Sequence, residues 1–172
     1  MSRHVGSPCG GGLRRFAVLA IATGAGAGFA PIAPGTFGSL VGIAVFVLIA
    51  PFGALAVAVT ALLVTVAGVW AAGEAERLFA SSDDGRIVID EVAGQVIALW
   101  PLSWLAPDRA LAPLPLAFGF LAFRAFDIAK PGPVRWAERR FTGGRGVVFD
   151  DLLAGAFAAI AVAVAVLAGA AR

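Results

Sequence analysis

Apolar residues fill this chain in long runs, and the polar residues gather in short clusters between them. The runs cover residues 16–33, 40–50, 52–72, 87–106, 111–126 and 152–171. Continuous apolar runs of this length, without strict alternation, predict helices rather than strands. Pro31 and Pro34 close the first run, Pro51 divides the next two, and Pro107-Asp108-Arg109 makes a turn before the fifth. Pro51 makes the second run a short one: a helix of about 14 residues rises only ~21 Å, against ~30 Å for the hydrocarbon core of a bilayer. Thr36 is placed to cap a helix that begins at Phe37. Residues 131–141 are amphipathic instead, with Trp136 and Phe141 set among Arg135, Arg139 and Arg140, a mixture suited to an anionic membrane surface. Residues 1–15 are polar and Gly-rich and read as a disordered N-terminal tail; residues 16–172 read as a single helical domain.

Composition turns that helical pattern into a membrane protein. Hydrophobic residues make up 60% of the chain and charged residues 14%, where a soluble domain carries about 25% charged. Mean hydropathy is +0.92. The expected fold class is therefore all-α, a compact multi-helix membrane bundle of about five or six helices with an interfacial amphipathic helix. If successive apolar helices alternate direction, Thr36, Asp90-Glu91, Asp127 and Asp150-Asp151 all fall at one face of the membrane. Every Arg and Lys except Arg109 and Arg172 falls there too. The positive-inside rule makes that face cytoplasmic and leaves the C-terminus outside.

The single Cys excludes an internal disulfide framework, and the single His excludes histidine metal triads. Two short patterns mislead. Cys9 to Arg15 has the C-x5-R spacing of a cysteine phosphatase loop, but no strand precedes the Cys and Phe16 follows the Arg. The glycines at 24, 26 and 28 do not make G-x-G-x-x-G, and no strand–helix unit surrounds them; a close-packed or irregular helix is expected there.

The chemistry gathers at three places. In FRAFDIAKP, residues 123–131, Arg124 and Asp127 share a helix face, and Pro131 forces Lys130 out of helical geometry, closing the helix. Asp90-Glu91 and Asp150-Asp151 each stand at the start of another apolar helix. Each pair alone suits a helix N-terminus through the dipole; three such places on one face need partners. Asp90, Glu91, Asp127, Asp150 and Asp151 are oxygen-only ligands, which select a hard cation such as Mg2+. Arg124 and Lys130 suit phosphate oxygens. The helix start at Thr36, with the Thr36 and Ser39 hydroxyls, suits another. Cation, phosphate clamp and carboxylates together make a metal-assisted phosphohydrolase site.

APGTFGSL, DDGRIVIDEVAGQ, FLAFRAFDIAKPGPVRW and GVVFDDLLAGAFAA, spread over residues 23–159, closely resemble the phosphatidylglycerophosphatase A family. The resemblance implies an all-helical, Mg2+-dependent enzyme of the bacterial inner membrane. It implies removal of the terminal phosphate of phosphatidylglycerophosphate to give phosphatidylglycerol. It places the family's polar positions at Thr36, Ser39, Asp90, Glu91, Arg124, Asp127, Lys130, Asp150 and Asp151. Gly132 stands where family members often carry Trp, a departure that touches packing or lipid contact rather than the charged set. The expected partners are the lipid substrate and the bilayer, with no nucleic acid. The competing function is a small cation or metabolite transporter using the same acidic cluster, which would spread its carboxylates toward mid-helix. A purely structural membrane protein leaves the paired acids unexplained.

Overall fold

The computed structural model describes residues 9–82, 84–135 and 144–170. Among them every regular element is helical: α1 Cys9–Ala22, α2 Pro34–Ile49, α3 Ala54–Phe79, α4 Ile89–Leu99, α5 Leu102–Leu105, α6 Pro113–Ala129 and α7 Gly144–Ala170. Residues 132–135 add one more helical turn. The all-helical bundle expected from the sequence is therefore the observed architecture. Residues 1–8 of the expected tail, and residues 136–141 of the expected amphipathic helix, lie outside the described residues.

Several boundaries differ from the sequence reading. Residues 9–15, read as tail, begin α1. Arg14 Nη2 meets Glu74 Oε2 of α3 at 2.8 Å, and Val18 and Ala22 bury against a cluster that includes Ala71, Ala72 and Ala75, so tertiary contacts hold a Gly-rich helix start. The Gly24–Gly26 stretch is a left-handed turn rather than an irregular helix, with φ of 55°, 55° and 98° at Gly24, Ala25 and Gly26. The Thr23 hydroxyl clamps that turn, donating to the Leu19 carbonyl at 2.7 Å and accepting from Gly26 N–H at 3.1 Å. Finally, α7 starts at Gly144, so Asp150 and Asp151 sit inside the helix instead of ahead of it. The buried stripe Val148, Asp151, Ala154, Ala158 and Val162 runs at helical spacing along α7 and explains the extension.

α4 is the axis of the molecule. Asp90, Val92 to Val96, Ala98 and Leu99 are all buried, so it is enclosed on every side, by α2, α3, α6 and α7. Glycines permit that enclosure. A Cβ on Gly38 would strike Val88, and one on Gly42 would strike Gln95 and the Val92 carbonyl, so the backbone of α2 lies directly on α4. On the opposite side, Gly155 of α7 meets the Gly94 backbone, and Gly94 meets Phe123 and the Asp151 carbonyl. The loop before α4 is also held. The Arg86 guanidinium forks onto Asp84 at 2.7 Å and lies 3.8 Å above the Phe79 ring. That hydrogen bond holds the Asp84 carboxyl below its usual range. Val88 N–H donates to the Ala22 carbonyl at 2.9 Å, tying the turn after α1 to the start of α4.

Outside this core the molecule is apolar. Leu48, Leu55, Leu62, Leu63, Leu114 and Leu121 stand more than half exposed, a surface that water would not tolerate as one continuous patch. Three helical stretches are long and apolar enough to cross a membrane: Pro34–Phe52, Ala54–Phe79 and Val148–Gly169. The first gains its length because a 3-10 turn, Ala50–Phe52, continues α2 past Pro51. At 11 and 17 residues, α4 and α6 are shorter than these, and α4 is shielded by its neighbours. The protein is a membrane protein whose lipid-facing helices wrap a short internal one.

The glycine contacts carry opposite expectations at two sites. Gly94→Ala should cost about 1–3 kcal/mol through overpacking against Phe123 and the α7 backbone. Gly73→Ala in α3, where an added Cβ meets nothing within 4 Å, should instead be neutral or stabilise by up to about 1 kcal/mol. Thermal unfolding of the two variants in the same detergent compares the signs directly.

Candidate active site

The N-terminal end of α4 brings Asp90 and Glu91 into the interior, and α7 delivers Asp151 to the same place. One carboxylate oxygen from each of the three lies within 4.8 Å of the others. Asp90 Oδ1 and Glu91 Oε2 are buried without a hydrogen-bond partner among the described residues. Three carboxylates this close repel one another in a medium that screens poorly, which is costly unless a cation joins them. The set fits a hard divalent ion: oxygen donors only, partly desolvated, with coordinating capacity unused.

The other two acids have different partners. Asp127 of α6 pairs with Arg124 one turn earlier, Nη1 to Oδ2 at 2.6 Å, on the shared helix face that their spacing predicted. Asp127 is nevertheless close enough for its charge to act on Glu91 and Asp151. Asp150 accepts from Lys130 Nζ at 3.0 Å. Lys130 reaches it from an uncommon backbone conformation, φ 42° and ψ 65°, at the C-terminus of α6. Pro131 forces the chain out of the helix at this residue. Left-handed geometry disfavours a Lys by about 1–2 kcal/mol, so the ammonium is held where it is by its surroundings rather than by local preference.

The two hydroxyl residues are placed differently from expectation. α2 begins at Pro34 with Ala33 as its cap, so Thr36 lies within the first turn and is not the N-cap. Pro at the first helical position, where no N–H is needed, moved the start three residues upstream. Ser39 is buried, and its hydroxyl donates to the Gly35 carbonyl at 2.9 Å. The positive end of α2 lies against a protein carboxylate: a Cβ on Gly35 would collide with Glu91 Oε1 and approach Arg124 Nη1. Glycine at 35 is what lets Glu91 sit there. Among the described residues nothing lies within 4 Å of a Cβ added at Gly132, the residue that departs from the family pattern.

One polar residue of this region carries no role in the sequence reading. Gln95 is fully buried one turn along α4 from Glu91, and neither amide atom has a hydrogen-bond partner among the described residues. Its signal in the sequence was a lone amide four residues after Glu91 in an otherwise apolar helix. A cavity of about 740 Å3 lies elsewhere. Its lining includes Arg109, Phe118, Val162 and Gly169, and those α7 residues stand 11 to 18 positions beyond Asp151, or ~16–27 Å along the helix.

Residues 20–166 match the family model of phosphatidylglycerophosphatase A. The chain belongs to the phosphatidylglycerophosphatase A family. The family is one of phosphoric monoester hydrolases, and the membership agrees with the four sequence motifs. A Bacteroides thetaiotaomicron protein, provisionally named phosphatidylinositol-3-phosphatase, is 42% identical over 87% of this chain and 94% of its own length. The phosphatidylglycerophosphatase A of Escherichia coli is 33% identical over 81% of this chain and 77% of its own. That of Haemophilus influenzae is 34% identical over 83% and 84%. No solved structure matches the chain.

The carboxylate cluster predicts that function and stability part company here. Asp151→Asn should raise the thermal midpoint of the protein in excess chelator, because it removes a buried repulsion. The same change should lower phosphate release at least ~100-fold, the scale of losses around metal sites. Differential scanning fluorimetry beside a phosphate-release assay reads both; a variant that loses stability and keeps its rate would contradict the electrostatic account.

Proposed function

We propose that this protein is a Mg2+-dependent phosphatidylglycerophosphatase of the bacterial inner membrane, releasing the terminal phosphate of phosphatidylglycerophosphate at the cytoplasmic surface. The observation that carries the proposal is the buried Asp90–Glu91–Asp151 cluster at one end of the bundle, flanked by the Arg124–Asp127 and Lys130–Asp150 pairs. Asp90, Glu91 and Asp151 would hold the cation, which when bound supplies Lewis-acid polarisation of a phosphoryl oxygen. Arg124 keeps donors to spare beyond the one on Asp127, and Lys130 has three in all, so both can turn toward phosphate oxygens. Asp127, outside the three-carboxylate group yet close to it, is the acid best placed to take a proton from the attacking water. The water oxygen forms the new P–O bond, the ester P–O bond breaks, and the glycerol oxygen leaves with a proton. Asp150 orients Lys130. Thr36 and Ser39 shape the α2 start that braces Glu91, with Thr36 the more open of the two to a substrate oxygen.

Orientation follows from charge. With the helices crossing alternately, the acidic end and nearly all Arg and Lys residues share the cytoplasmic face, and Asp108 and Arg109 lie opposite. The short α4 reaches inward from that face, which gives the lipid head group a polar end of the bundle and its acyl chains the apolar exterior.

The name of the Bacteroides relative favours a second substrate, a 3-phosphorylated phosphatidylinositol. Both lipids present a phosphate monoester on an anionic head group at the same depth. A transporter is disfavoured, because the carboxylates gather at one end and do not line a path through the bundle.

Purified protein should release phosphate from phosphatidylglycerophosphate in mixed micelles only with a divalent cation, and should lose at least ~100-fold on Asp90→Asn or Asp127→Asn. Full turnover in excess chelator rules out the cation. Faster release from phosphatidylinositol 3-phosphate at equal concentration would move the assignment to the second substrate. For the orientation, single Cys residues at Ser82 and Pro107 in a Cys9→Ser background give a direct reading. An impermeant reagent should label position 107 in intact cells and spare position 82.

A further inference from the structure

Gln95 is fully buried in α4, and neither Nε2 nor Oε1 has a hydrogen-bond partner among the described residues. A buried amide left unbonded costs about 1–3 kcal/mol for each unsatisfied group. An apolar side chain of similar size would fill the same space without that cost. The position is crowded as well. The α2 backbone at Gly42 rests on the Gln95 Cβ and Cγ, and the α2 backbone at Gly38 rests on the Glu91 Cβ. Glu91 and Gln95 therefore lie one turn apart on the single α4 face that α2 covers. Glu91 has an orphan of its own, Oε2, buried and without a partner among the described residues, while its Oε1 lies against Gly35 of α2. An ionised carboxylate only accepts hydrogen bonds, and an amide nitrogen only donates. Side chains four apart on a helix have Cβ atoms about 5–6 Å from each other, within reach of a bridge through one water.

We propose that Gln95 is a positioning residue for Glu91: its amide Nε2 donates to a water that in turn donates to Glu91 Oε2, and so holds the carboxylate at the cation site. Resting on the phosphatase function proposed above, this assigns Gln95 to the metal-binding half of the site rather than to substrate contact. It also accounts for the glycines at 38 and 42, since any larger residue there would push the α2 backbone off the two side chains it confines. Metal-ligand carboxylates held by a second hydrogen bond lose about 10–100-fold in metal affinity when that bond is removed.

The experiment uses the full chain in detergent micelles and compares wild type with Gln95→Leu and Gln95→Asn. Three quantities are read: Mn2+ binding by electron paramagnetic resonance without lipid, the thermal midpoint in chelator, and the Mg2+ concentration for half-maximal phosphate release. Both variants should bind Mn2+ at least ~10-fold more weakly and need correspondingly more Mg2+. The thermal midpoint in chelator reports whether each variant keeps the fold, apart from its metal affinity. Metal constants within about twofold of wild type, with or without a fall in thermal midpoint, would overturn the proposal and leave Gln95 as a packing residue. Should Gln95→Leu not fold, Gln95→Met, unbranched and similar in length, gives the same three readings. Failure of the wild type to release phosphate from either lipid would instead count against the phosphatase function, and the Mn2+ comparison would still decide the role of Gln95.

Discussion

The close approach of α2 and α7 to α4 is the contact on which everything else in this molecule depends. A helix that is buried all round has no lipid or water face, so its neighbours must come within backbone distance of it. Gly35, Gly38 and Gly42 let α2 do so, and Gly94 with Gly155 lets α7. Small residues at helix crossings are the usual means of packing in a bilayer, where no hydrophobic drive separates protein from lipid. Here the same crossings place the carboxylates. The Gly94–Asp151 contact sets the distance from Asp151 to Asp90, and Gly35 makes room for the Glu91 carboxylate.

That packing sets an electrostatic tension. Three carboxylates converge, and among the described residues the cations Arg124 and Lys130 nearby are engaged by Asp127 and Asp150. The bundle thus keeps its repulsive cluster apart from its neutralised pairs by only a helix turn or two. In the proposed function, a cation would relieve the first and a phosphate would draw on the cations of the second. Left-handed geometry at Lys130 belongs to the same account, because backbone strain persists where surrounding contacts over-determine it.

The apolar exterior imposes the remaining constraint. Long exposed apolar faces on α2, α3 and α7 suit lipid, and they leave the polar groups one place to gather, the end of the bundle where α4 starts. A lipid phosphatase needs that combination, since its substrate stays anchored by its chains while its head group reaches the polar end. Nothing in α4 itself needs to touch lipid, which is why eleven residues suffice for it.

Much of this was determined by the sequence alone, because it depends on local geometry. Apolar run length fixed the helices, Pro131 fixed the end of α6 at Lys130, and i,i+3 spacing fixed the Arg124–Asp127 pair. Alternation of direction was enough to put all the acidic motifs at one end. Local rules failed where a tertiary contact outweighed them: residues 9–15 are helical because Arg14 and the α1–α3 contact hold them, and α2 starts at Pro34 rather than after a Thr36 cap. Only the tertiary structure decided which three of five acids come together and that Asp150 meets Lys130, since the sequence offers all five alike as oxygen ligands. It alone gave Gln95 a place, because a single amide in an apolar helix is unremarkable until its burial and its missing partners are known. The physical reason is the same throughout: spacing along one helix sets which side chains share its face, whereas distances between helices are set by the size of the residues at their crossings.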